Sequence, residues 1–122
     1  MGIIERISNN DNSTYFCKNR TEIKNMLSSL KCKDKVVILK FYATWCNPCK
    51  TATTILEEVL DNYKGKQDIL VIEYDVDKYD DIASHFKVQS LPTIITFYNG
   101  EKKEILCGVT KEYIELLIEN TC

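Results

Sequence analysis

Val36-Val37-Ile38-Leu39-Lys40-Phe41-Tyr42-Ala43-Thr44-Trp45-Cys46-Asn47-Pro48-Cys49-Lys50 is the stretch on which the fold turns. Its first eight residues form an apolar run of strand length, interrupted by Lys40. Behind the cysteines, Ala52, Ile55, Leu56, Val59, Leu60 and Tyr63 recur at helical spacing and mark one helix face. The cysteine pair therefore lies where a buried strand gives way to a helix. Pro48 suits the first helical turn, where its missing N–H breaks no hydrogen bond. A thiol at that point meets unpaired N–H groups and the positive end of the helix dipole. It ionises more readily, and the thiolate is the nucleophile. Cys49 lies three residues before Ala52, shares the apolar side and is expected to be shielded. Cys46 precedes the first turn and is expected to be exposed. Cys46 is thus expected to attack a disulfide, and Cys49 to resolve the mixed disulfide that forms.

Outward from this stretch, the chain offers the material for one domain spanning 1–122, with 1–11 read as a loose arm. Its 122 residues are 44% hydrophobic and 28% charged, enough to bury one core. The formal charge of −2 implies no nucleic-acid partner, and no apolar stretch approaches the length of a membrane span. Met1 to Arg6 lacks the apolar core of a signal peptide, so a cytoplasmic, reducing compartment is expected. The six cysteines could also suggest a secreted disulfide scaffold or half of a zinc site. The absent signal speaks against the first. The scatter of Cys17, Cys32, Cys107 and Cys122 speaks against the second.

Ser13 to Cys17 reads as a short edge strand, and Asn19 with Glu22 as a capping box for a helix carrying Ile23, Met26, Leu27 and Leu30. Ile69 to Val76 is a second buried strand, interrupted by Glu73. Asp77 is the expected cap of a short helix with Tyr79, Ile82, Ala83 and Phe86 inward. Thr93 to Tyr98 and Lys103 to Cys107 flank Asn99-Gly100, a hairpin signal. Thr110 then caps a last helix packing through Tyr113, Ile114, Leu117 and Ile118. Strands alternating with helices, followed by a hairpin, predict an α/β fold: a mixed sheet with helices on both faces.

Phe41 to Lys50 resembles the active-site stretch of the thioredoxin family, and Leu91-Pro92-Thr93, Phe97-Tyr98-Asn99-Gly100 and Gly108 match it downstream. The resemblance covers residues 12 to 120. It implies the thioredoxin fold, a redox disulfide between Cys46 and Cys49, and reversible dithiol–disulfide exchange that reduces protein disulfides. It implies no cofactor and no metal, because the dithiol itself carries two electrons. Partners would be disulfide-containing proteins and an upstream reductase such as a thioredoxin reductase, serving electron transport and cell redox homeostasis. It also implies a cis bond before Pro92 and a substrate groove formed by Trp45, Leu91, Pro92, Cys107 and Gly108. An oxidase or isomerase of the same fold is the enzymatic alternative, although Asn47-Pro48 stands where disulfide isomerases have Gly-His. A redox-inactive binding module is the other, and the intact thiol pair speaks against it.

Around the site, Trp45 is expected as a surface aromatic shaping the groove. Cys107 is read as a small apolar filler rather than a reactive thiol. Cys32 lies among lysines that would favour its thiolate. His85 has no partner that suggests catalysis. Asn47 replaces a glycine common in the family. Lys40 is the clearest departure, since the family has a buried acid there and a lysine at the position of Glu73. The two charges are exchanged, and Lys40 and Glu73 are expected to pair across adjacent strands beneath the cysteines. Glu73 would then be the carboxylate available for the Cys49 proton, with Lys40 keeping it ionised. The plainer reading has both side chains reaching water.

Overall fold

The computed structural model describes residues 2–8, 15–108 and 110–121. Five strands, β1 (Ile4–Ser8), β2 (Val36–Tyr42), β3 (Ile69–Asp75), β4 (Thr93–Tyr98) and β5 (Glu101–Cys107), form one sheet in the order β1-β3-β2-β4-β5. β1 and β2 run parallel to β3, and β4 runs antiparallel to both β2 and β5. The four helices are α1 (Arg20–Leu27), α2 (Asn47–Asp61), α3 (Asp80–His85) and α4 (Lys111–Thr121).

Alternation along the central strands divides the core. Val37, Leu39, Phe41, Leu70, Ile72 and Tyr74 meet Ile23 and Leu27 of α1 and Ile82 of α3 on one face. Val36, Ile38, Ile69 and Val71 meet Leu56, Val59 and Leu60 of α2 and Ile114 and Ile118 of α4 on the other. Both faces of β2 and β3 are covered, which is why these strands read as nearly unbroken apolar runs. By the same parity, Lys40 and Glu73 fall on the face under α2. At the far end of the sheet, Asn99 and Gly100 both take positive φ (50° and 86°), as a two-residue hairpin requires.

Several local expectations need correction. Residues 4–8 are an ordered edge strand rather than part of a loose arm; residues 9–11 lie outside the described residues. The strand is held by Asp68, whose Oδ1 accepts from the N–H groups of Gly2 (2.8 Å) and Ile3 (2.9 Å). Gly2 has φ +91°, and a Cβ there would run into the backbone of Gly65 and Lys66. Residues 15–17 form no strand, and 13–14 lie outside the described residues. Tyr74 nevertheless fixes Cys17, donating to its carbonyl (3.0 Å) and accepting from its N–H (3.2 Å).

Asn19 caps α1 as expected, accepting from the Glu22 N–H, while Glu22 reaches back to the N–H of Lys18 rather than of Asn19. α1 stops at Leu27, and Leu30 is exposed in the following 3-10 turn. Tyr113 is exposed, whereas Thr121 is buried and shares a 2.6 Å hydroxyl bond with Thr96. That bond satisfies two polar groups inside the core, which would be costly unpaired.

Candidate active site

Cys46 is the N-cap of α2, with Pro48 in the first turn. Its Sγ accepts from the backbone N–H of Cys49 at 3.2 Å, satisfying one of the orphan donors at the helix start. Cys46 and Cys49 are joined as a disulfide, their Cα atoms 5.4 Å apart. Both are buried: Cys46 is 4% exposed and Cys49 3%. The expected exposure of Cys46 is therefore corrected. The N-cap bond draws its sulfur toward the helix, and Ala43, Tyr42, Val76 and Leu91 pack around the pair.

The two sulfurs face different surroundings. Cys46 borders a groove with Trp45, Asn47, Pro48, Val76, Ala83 and residues 88–91. Trp45 is exposed, as expected of a surface aromatic. Its orientation is fixed by Asp77, whose Oδ2 accepts from Nε1 at 3.0 Å. Asp77 does not cap α3; Tyr79 takes the N-cap position without a side-chain bond.

The Leu91–Pro92 peptide is cis, as the resemblance implied. Leu91, Pro92 and Gly108 line an adjoining hollow with Asn47, Pro48 and Thr51. The N–H of Gly108 donates to the carbonyl of Pro92 at 3.2 Å, tying the end of β5 to the start of β4. Cys107 lies opposite Thr93 in the β4–β5 register and is exposed, so it is not an apolar filler.

Cys49 borders a separate cavity behind the disulfide, lined also by Lys40, Thr53, Glu73, Ser8, Tyr42 and Lys50. Lys40 and Glu73 are partners in the β2–β3 register. They form the expected ion pair, Nζ to Oε2 at 3.0 Å, with Lys40 2% exposed and the Glu73 side chain 26% exposed. The reading in which both reach water is corrected for Lys40. Its ammonium also donates to the Thr53 hydroxyl, which in turn donates to the Cys49 carbonyl at 3.0 Å.

The remaining described thiols are unlike this pair. Burial pushes the Cys17 thiol up to about 11, with Glu22 and Cys32 adding to the shift. Burial also raises Cys32, outweighing the opposing lysines 35 and 31. Cys32 is therefore held as a thiol, with its Sγ against the Met26 Sδ at 3.1 Å. His85 ends α3 beside the ring of Phe86. Cys122 lies outside the described residues. No cluster of His, Cys, Asp or Glu suited to a metal occurs among the described residues.

Sequence reasoning missed Thr53 and Asp77. Thr53 left a signal, as a hydroxyl one helical turn beyond Cys49 on an otherwise apolar flank. Asp77 follows the end of β3 but is read equally well as a cap, and only the fold brings it to Trp45.

Comparison with known proteins gives one answer. The family model described as thioredoxin matches residues 17–120. A thioredoxin-like protein of Synechocystis is 38% identical over 90 residues, covering 74% of this chain and 84% of its own. A thioredoxin of Staphylococcus haemolyticus is 44% identical over 73 residues, 60% of this chain and 68% of its own. Among solved structures, reduced Schistosoma mansoni thioredoxin pre-protein superposes with TM-score 0.72 at 28% identity, covering 97% of this chain and 99% of that one.

Proposed function

The chain belongs to the thioredoxin family and is a thiol–disulfide oxidoreductase, and we propose that it runs in the reducing direction on disulfides of other proteins. The observation that supports this most is the split environment of the cysteine pair. Cys46 borders the groove lined by Trp45 and Leu91 and Cys49 the hollow lined by Lys40 and Glu73, so the two sulfurs face different chemistry. Cys46 is the nucleophile, with its sulfur at a helix N-terminus, where the thiolate is favoured.

A substrate segment lies along Trp45 and Leu91–Pro92, and backbone pairing beside Pro92 accepts many sequences with little regard to side chains. The Cys46 thiolate attacks one substrate sulfur, and the other leaves as a thiolate. Cys49 then attacks the Cys46 sulfur, closing the internal disulfide and releasing the second substrate thiol. The pair emerges oxidised and the substrate reduced by two electrons. Glu73, on the wall of the rear cavity, is the carboxylate available to take the Cys49 proton. An upstream reductase such as a thioredoxin reductase restores the dithiol, and a cytoplasmic, reducing compartment fits this direction.

With a dithiol reductant as electron source, the protein should reduce a generic protein disulfide catalytically, and Cys46→Ser should abolish turnover. Persistent turnover by Cys46→Ser would remove the assignment.

A further inference from the structure

Asn47 is the first residue of α2, set between the two reactive cysteines. It is exposed, and its carboxamide has no hydrogen-bond partner among the described residues. Two hollows meet beside it: the groove that Cys46 borders, and the hollow that reaches Pro92 and Gly108. Asn47, Pro48 and Leu91 line both. Of these three side chains only that of Asn47 forms hydrogen bonds. A segment that passes from one hollow to the other crosses this shared wall.

The linings narrow what can cross. Among the described residues, neither hollow is lined by a carboxylate, an ammonium, a guanidinium or an imidazole. The indole N–H of Trp45 is already taken, because it donates to Asp77. An extended polypeptide carries N–H and C=O groups along both edges, and each loses water when pressed against proline and leucine. Backbone pairing beside Pro92 engages one edge of such a segment. The facing wall of the second hollow comes from α2, through Asn47, Pro48 and Thr51. On that wall Asn47 stands next to Cys46, while Thr51 is one helical turn further on and does not line the groove of Cys46. A carboxamide offers both a donor and an acceptor, so it can meet a peptide N–H and a peptide C=O alike.

We propose that Asn47 is a specificity-determining residue: its carboxamide hydrogen-bonds the main chain of the substrate segment beside the attacked disulfide, so that the site favours polypeptide disulfides over small disulfides that carry no amide. This rests on the reading in which substrate docks along Trp45 and Leu91–Pro92. The contact is to main chain, so it adds to recognition of a polypeptide without choosing among its side chains. A site that offers hydrogen bonds to a substrate discriminates against an analogue that lacks the matching groups.

The test compares two disulfides in single turnover. Pre-reduced protein is mixed with excess of either the disulfide-linked dimer of a capped Ala-Gly-Cys-Ala-Gly peptide or bis(2-hydroxyethyl) disulfide. Samples are quenched in acid, and loss of the free Cys46 thiol is read by alkylation and mass. The readout is the ratio of the two second-order rate constants, because a change in the nucleophilicity or potential of Cys46 scales both. In Asn47→Ala the ratio of peptide to small disulfide should fall about fivefold, the loss of one neutral hydrogen bond. Asn47→Gln, which keeps the carboxamide, should restore most of it. An unchanged ratio in Asn47→Ala overturns the proposal. So does an equal fall in Asn47→Ala and Asn47→Gln, which would assign the effect to shape. Failure of the docking reading looks different: wild type would then show no preference for the peptide over the small disulfide, and the proposal would fall with it.

Discussion

The front and the rear of the disulfide are built from different materials. In front of Cys46 lie Trp45, Pro48, Val76, Ala83 and Leu91, with few charges. Behind Cys49 lie Lys40, Glu73, Lys50 and Thr53, on the face that α2 covers. An apolar groove suits varied partners, because it gains from excluding water and asks little of sequence. An ion pair with its lysine buried suits proton and charge control, because a lowered dielectric strengthens electrostatic terms. The two cysteines, three residues apart, thus face different surroundings.

The contrast breaks most visibly if the two thiols are interchangeable. Cys46→Ser removes the attacking sulfur and should leave no activity. Cys49→Ser should instead accumulate covalent complexes with substrate, readable as a reductant-sensitive mass shift, since attack survives and release does not. Equal behaviour of the two variants would erase the distinction between front and rear.

A second comparison sharpens the rear alone. Glu73→Gln leaves the ammonium of Lys40 buried without a counter-charge and should cost about 3 kcal/mol or more in urea unfolding. Lys40→Met leaves a carboxylate that water already reaches, so it should cost less. The double change should cost less than the sum of the two. Strict additivity would mean that the pair contributes nothing as a pair.

The smallest effect concerns the thiols that take no part. Native Cys17 keeps its proton to about pH 11 against an ordinary value of 9.0, because burial disfavours its charge. Between these values the unfolded chain binds fewer protons than the native one, so stability falls as pH rises, by at most about 1.4 kcal/mol per unit. Burial also raises Tyr74, which adds to the fall above its ordinary value of 10.0. Cys17→Ala should make the portion that begins near pH 9 shallower, leaving the share of Cys32 and the higher portion in place, as followed by unfolding at stepped pH.

How much of this was legible varied with burial. β2, β3 and α2 were plain because each is covered by the core and the apolar period survives. The pairing of Lys40 with Glu73 was legible because each interrupts such a run, and two lone charges in a covered sheet need one another. β1 was not legible. Of its five residues only Ile7 is buried, so an edge strand reads as polar chain. Leu30 and Tyr113 misled because helical spacing does not tell where a helix stops or which flank the core reaches. Cys46 misled because position before a helix was taken as exposure, whereas the N-cap bond turns the sulfur inward. At Cys32 the lysines nearby in sequence count for less than loss of solvent.

The strand order β1-β3-β2-β4-β5 places the reactive turn at the end of β2, whose amides are paired on both sides and whose faces are both roofed by helices. Strands so enclosed open to deuterium only when the whole domain opens, while edges and caps breathe far more often. The cysteine pair sits in the turn and helix cap that follow this strand, anchored to the most enclosed part of the sheet. Any adjustment that passing between covalent partners requires can thus be taken up at the cap, with the strand behind it held fixed.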